Sequence, residues 1–358
     1  MTAAGQALRR RIILAVILLA AFIVLLRVAV LAGEFDTVIT AATFEAAREN
    51  RTVLRAFLHR MPKGGDLHTH LAGAVYAERF IAWAAQQELC VDPQRVVVPK
   101  PQCDRAGAVP VSDAMRDQQL YNWLVDAFSM RAFLPTPAVP TGHDEFFAAF
   151  DKFGAVSGTH FVDRTIDQLR RYDSENVQYV EFMESSWCPD DRDRFVKAIS
   201  ETTDDASKLK TLEASGLGDC VAARRNVLTV ALGKIRSALA CDAPKPQPGC
   251  GVTFRYIIQV NRNNPPDEVF VQTAIAAALI RAEPRVVALN FVGPEDGLVA
   301  RRDYTRHMQI IRFPRSHRDR WRPPYRPWRR ACLRTRHGRP ACRDAHTASR
   351  RRGQPHQH

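Results

Sequence analysis

Two histidines, His68 and His70, stand two residues apart in a short apolar stretch, Leu67 to Val75, just after the turn-forming pair Gly64-Gly65. Residues i and i+2 of a strand share a face. A strand entering at Leu67 would therefore aim both imidazoles into one cavity while Leu67 and Leu71 pack behind. Two neutral imidazoles on one face suit a zinc ion, which accepts histidine nitrogen at about 2.0–2.1 Å. His-x-His pairs also occur by chance, so the elements around this one decide what it means.

Those elements alternate. Glu78–Leu89 and Asp144–Phe153 read as amphipathic helices, and Val177–Phe182 alternates as a strand. Thr253–Val260 is a β-rich run that closes in Asn261-Arg262. Pro265-Pro266-Asp267-Glu268 opens a helix through Ile280, with proline and acids at the favoured end. Val286–Val292 is the next strand, ended by Gly293, and Arg302–Arg312 the next helix. Strand, helix and strand in that order predict parallel pairing.

Pro62-Lys63-Gly64-Gly65-Asp66-Leu67-His68-Thr69-His70-Leu71-Ala72-Gly73-Ala74 resembles the first metal strand of the adenosine deaminase family. With Val75-Tyr76-Ala77-Glu78 following, it resembles the secreted, growth-factor-type branch. The resemblance runs from about Phe35 to Arg312. It implies a (β/α)8 TIM-type barrel of the metal-dependent hydrolases, with its site at the C-terminal ends of the strands. Residues 61–312 would form about five of the eight βα units, an incomplete barrel. The implied chemistry is zinc-dependent hydrolytic deamination of adenosine, with His68 and His70 as metal ligands. Gly293 would be the glycine that approaches the purine, and Phe147 and Phe150 would cover the substrate mouth. A glycine ending a strand and a phenylalanine stripe on a helix also have plain structural readings, as a turn and as core. Ala72 departs from the family pattern, which has an aspartate on the ribose there in its best-known branch.

The leader carries Arg9-Arg10-Arg11 and then an unbroken apolar run, Ile12–Leu26, which matches a secretory signal or signal-anchor over residues 1–33. The chain is thus expected to be exported, periplasmic or extracellular, or anchored by membrane contact through residues 12–31. Residues 34–60 are expected as a helical arm, one amphipathic helix from Phe35 to Arg60. The resemblance makes that arm a packing element on the barrel or the contact of a homodimer. Export permits disulfides. Cys90 with Cys103 and Cys241 with Cys250 bracket loop segments, and Cys188 with Cys220 is a weaker third pairing. There is no Cys-x-x-Cys, so a thiolate zinc site is not indicated.

The formal charge of +13 points at first to nucleic acid. Its distribution reverses that: 15 Arg and two acids lie from Arg312 onward, leaving 36 bases and 36 acids in residues 1–311. The body is neutral, and a small-molecule substrate, not nucleic acid, is the expected partner. Beyond Phe313 there is no Ile, Val or Met and a single Leu, Leu333. Residues 313–358 are either a disordered basic tail or out of frame. Read from the second base, the codons of Pro324–Cys332 permit Leu-Ile-Ala-His-Gly-Gly-Glu-Leu, and the family's next metal motif is His-x-Gly-Glu. The frame reading is the one adopted. On it the third zinc histidine, the acid/base glutamate, a later histidine and an aspartate ligand are missing, so no catalytic residue is identifiable and the chain as written should be inactive. The rival readings are a related hydrolase acting on a nucleotide such as AMP, a non-catalytic exported binding protein, and a nucleic-acid binder through the tail.

Overall fold

A computed structural model of the chain describes residues 3–94, 96–98, 103–104, 107–131, 133–137, 139–185, 188, 192–316, 333–334 and 340–341. The chain divides into two units, residues 1–67 with 165–180 and 236–253, and residues 68–164 with 181–235 and 254–358.

In the first unit α1 (Ala3–Arg48) is one long helix and α2 (Arg51–Arg60) a short one. The single helix predicted over 35–60 is therefore corrected. Asn50 breaks it, because its extended backbone and its side-chain oxygen, accepting from the amides of Thr52 and Val53, make it an N-cap. Phe44 and Phe57 meet across the break at 5.6 Å. Among the described residues no helix is long and apolar enough to cross a membrane. Asp66 accepts from Tyr172 Oη at 2.6 Å, and Lys63 Nζ donates to the carbonyls of His59, Met61 and Glu175. Cys241 and Cys250 are bridged.

The fold is α/β, organised on a four-stranded curled parallel sheet of order β1 (Gly64–His70), β5 (Val177–Ser185), β6 (Thr253–Asn261), β7 (Val286–Val292). This matches part of a TIM-type barrel. The predicted count of about five units is not confirmed, since four strands make the sheet. The predicted span of β7 coincides with the observed one. β6 and β7 are parallel, with Gln259 opposite Asn290 and Asn261 opposite Val292.

In the second unit α3 (Ala77–Gln86) follows β1, and an insertion holds three two-residue strands, β2 (Cys90–Val91), β3 (Val97–Val98) and β4 (Val109–Pro110). Cys90–Cys103 bridges that insertion and Cys188–Cys220 is also formed. After α4 (Gln118–Ala127), α5 (Gly142–Thr159) runs well past the predicted Asp144–Phe153; a reciprocal capping box of Thr141 and Asp144 fixes its start. The core beneath it gathers Phe80, Phe128 and Phe153, with the Phe80 and Phe153 rings stacked at 4.5 Å. Between α6 (Phe161–Ser174) and β6 come α7 (Arg192–Ile199), α8 (Asp205–Ala214) and α9 (Leu217–Ala238), none of them foreseen from the sequence. In α10 (Pro266–Ala282) every residue from Val269 to Leu279 is buried, as in a helix enclosed on all sides. It packs on β7, α7 and α12 (Tyr304–Ser316), which follows the short α11 (Leu298–Arg302).

One packing expectation fails. Leu71 is fully buried and Thr69 on the same face nearly so, but Leu67 is 61% exposed, so that face of β1 is covered only towards its C-terminal end. Of the basic tail, residues 313–316 end α12, and Leu333–Arg334 pairs with Pro340–Ala341. The remainder of the tail, with its predicted disorder, lies outside the described residues.

Candidate metal and substrate site

The strand geometry does place His68 and His70 together. Both come off β1 on one side, and their rings meet edge to face at 5.5 Å. They line a cavity of about 940 Å³. Its other walls are Phe146, Phe147 and Phe150 of α5, Gln259 and Asn261 at the end of β6, Asn290 and Val292 of β7, and the loop from Gly293 to Glu295. The predicted substrate residues Phe147, Phe150 and Gly293 thus share one cavity with the histidines. Phe153, three residues further along the same helix, is core instead.

His70 Nδ1 lies 3.1 Å from Gln259 Oε1. With the carboxamide oxygen accepting, Nδ1 carries the proton and Nε2 retains its lone pair, the form a metal ligand needs. Burial lowers the His70 pKa below the usual imidazole value. The Gln259 bond opposes that shift, and the neighbouring His68 adds to it. A half-buried, neutral-leaning imidazole is a better ligand than a protonated one.

Gly293 ends β7 in the left-handed region, φ +87°. A Cβ there would sit 2.9 Å from Asn261 Oδ1 and 2.9 Å from Asn263 Nδ2. Those two asparagines are locked: Asn261 Oδ1 accepts from the Asn263 amide at 2.9 Å, and Asn263 Nδ2 donates to the Pro294 carbonyl at 2.9 Å. Arg262 is ion-paired with Glu295 and donates to the Phe291 carbonyl at 3.1 Å. His143, on the first turn of α5, reaches Asp296 from Nε2 at 3.2 Å and Asp144 from Nδ1 at 3.3 Å. The helix bearing the phenylalanines and the loop that follows Gly293 are therefore in contact through His143 and Asp296.

Sequence reasoning missed the carboxamides Gln259, Asn261, Asn263 and Asn290. A signal existed for two of them: Ile257, Gln259 and Asn261 alternate along β6, and period two puts the amides on one face. Ala72, the departure from the family pattern, packs at the edge of the aromatic core.

The donor set is short for zinc. A tight site needs four ligands, three of them from protein where the metal is catalytic. Among the described residues no group of three or more His, Cys, Asp or Glu is placed to hold a metal ion. His68 and His70 supply half of such a set and do not by themselves fit a catalytic zinc.

No family model matches the chain, and no curated protein matches it. Among solved structures it is similar to an amidohydrolase from Burkholderia ambifaria with bound zinc, at 19% identity and a TM-score of 0.32. The match covers 71% of this chain and 50% of that one, so the chain spans about half the length of the structure it resembles. A likeness of that degree decides neither activity nor substrate, and the case for either rests on the cavity itself.

Proposed function

We propose that the chain carries the first-strand half of a zinc-dependent hydrolase site of adenosine deaminase type, built to hold a purine nucleoside. The observation that supports this reading is the convergence of the His68–His70 pair, the carboxamides and the phenylalanines on one cavity at the strand ends. Beyond the bonds they make within the wall, the carboxamides can offer a donor or an acceptor to the edge of a heterocyclic base, and aromatic rings offer it faces to stack on. Deamination needs a metal to lower the pKa of a water and a carboxyl to move its proton. Among the described residues the ligand set is incomplete; of the two carboxylates on the cavity wall, Asp151 and Glu295, the second is ion-paired with Arg262, and on this reading the chain as written binds without turning over. The remaining groups belong to the other reading of the codons after Ile311. Arg9-Arg10-Arg11 ahead of Ile12–Leu26 supports export of the product.

The test is a zinc titration with turnover measured alongside. The chain as written should bind zinc weakly, lose that binding on His68→Ala or His70→Ala, and convert no adenosine to inosine above a metal-free blank. Shifting the frame near the Ile311 codon should restore tight zinc binding and turnover. Deamination by the unshifted chain that is abolished in His70→Ala would overturn the half-site reading. An early stop in the shifted frame, together with salt-sensitive DNA binding by the tail, would overturn it in favour of a nucleic-acid binder.

A further inference from the structure

Two side-chain contacts record how the sheet curls. Adjacent strands lie about 4.7–4.9 Å apart, so strands separated by one other stand at about twice that spacing. Yet His70 of β1 meets Gln259 of β6 at 3.1 Å across β5, and Asn290 of β7 meets Met183 Sδ of β5 at 3.4 Å across β6. A concave inner face brings such pairs together. In an eight-stranded parallel barrel the interior is filled by layers of four side chains, each layer drawn from alternate strands. His70 with Gln259 is half of one such layer, and Met183 with Asn290 is half of the next.

The two outer edges are complementary. Among the described residues no strand pairs with the outer side of β1 or of β7. The Val292 carbonyl accepts from the Arg262 amide at 3.0 Å, and the Leu71 amide donates to the Met183 carbonyl at 3.2 Å. Successive residues of a strand send their backbone groups to opposite sides. Leu289 therefore turns its amide and carbonyl to the outer edge of β7, while at Phe291 the carbonyl is held by Arg262 and Asn290. Every residue of β7 beyond Val286 stays partly exposed, although only Asn290 among them is polar. The interior strand β6 instead buries Tyr256, Ile257, Ile258 and Val260.

We propose that two copies of this chain close one eight-stranded barrel, β7 of each pairing in parallel with β1 of the other, so that both histidine pairs face a single lumen. Four parallel strands curled into a half-barrel need four more to close, and a two-fold axis makes both seams from the same two edges. In the paired order β1 of the second copy takes the fifth place, which shares its layer with the first and third. Its His70 and Gln259 complete the layer that His70 and Gln259 of the first copy begin. The site is two imidazoles short of the four ligands of a tight zinc, and the second copy brings two. This last step rests on the half-site reading of His68 and His70.

The test measures mass by sedimentation equilibrium on the full chain, in a density-matched detergent that covers the exposed apolar side of α1, and counts zinc per chain by titration. The wild type should be a dimer that takes up one zinc per two chains, with affinity rising as chain concentration rises. Leu289→Pro removes the outward amide and leaves the β6–β7 hydrogen bonds in place, a substitution that an edge strand tolerates. That variant should keep the wild-type circular dichroism, sediment as a monomer and bind zinc at least tenfold more weakly. His70→Ala should keep the dimer and lose the zinc. Amide exchange reads the seam without a variant. The Leu289 amide should exchange at least tenfold faster on dilution to the monomer, while the Asn290 amide, bonded to β6, stays protected. A wild type that is monomeric at every concentration, an open-ended polymer, or a dimer whose Leu289 amide is unprotected overturns the closed pair. One zinc per chain in the dimer overturns the shared lumen. A dimer with a protected seam that takes up no zinc keeps the barrel and refutes the half-site reading.

Discussion

Replacing Gly293 by alanine separates a required glycine from an incidental one, and its cost can be worked out from two features of the position. The backbone there is left-handed, φ +87°, which charges any residue with a Cβ about 1–2 kcal/mol. The new Cβ would also fall 2.9 Å from both Asn261 Oδ1 and Asn263 Nδ2, closer than a real Cβ contact, so at least one amide must move. Moving it breaks the Asn261–Asn263 or the Asn263–Pro294 hydrogen bond, each worth about 0.5–1.5 kcal/mol net. The two effects together predict a loss of about 1.5–3.5 kcal/mol. Gly233 gives the opposite sign. It lies exposed within α9 with nothing inside 4 Å of its Cβ position, so alanine there should stabilise by about 0.5–1 kcal/mol through helix propensity. Urea unfolding of both variants, followed by circular dichroism, reads the difference as a shift in midpoint at constant slope. A Gly293→Ala variant within about 0.5 kcal/mol of wild type, alongside a stabilised Gly233→Ala, would show that the turn after β7 is not held as described.

His307, on α12, is 2% exposed, and burial lowers its pKa below the ordinary imidazole value; Arg306 and Arg302 add to that and Asp303 opposes it. A histidine depressed in the folded state contributes stability that is complete above its unfolded pKa and is lost as pH falls through the folded one. Melting temperature should therefore drop from pH 7 to about pH 5, and His307→Leu should flatten that drop; an unchanged slope in the variant would rule this group out. The His143–Asp296 contact ties α5 to the loop after β7 but is largely exposed, so it is worth under about 1 kcal/mol. Asp296→Ala should speed amide exchange in residues 293–297 by up to about fivefold while leaving α9 unchanged, and equal rates in variant and wild type would show that the contact does not hold the loop.

What the sequence made legible was local. The spacing of His68 and His70 placed them on one strand face, the apolar run Val286–Val292 marked β7 with its ends, and the proline-acid start of α10 marked a helix. The loop cysteines paired as their bracketing suggested. The break at Asn50 was also written locally, in a cap residue followed by Thr52, but the apolar periodicity on either side masked it. The two-residue strands of the insertion were too short to show any period, and the helices between 192 and 238 sit where no motif drew a reading. Leu67 shows another kind of limit. Alternation tells which residues share a face, not how far along the strand anything covers that face. The same reasoning explains why the histidines were found and their partners were not. Gln259 reaches His70 across 189 residues of sequence, and it stands beside Asn290 only because β6 and β7 pair in the register that sets those two residues opposite each other. A slip of one residue in β6 against the strands before it would turn Gln259 to the opposite face and leave His70 without its orienting bond. The chemistry of the pair is thus written in three letters, while its tautomer depends on a strand pairing fixed nearly two hundred residues away.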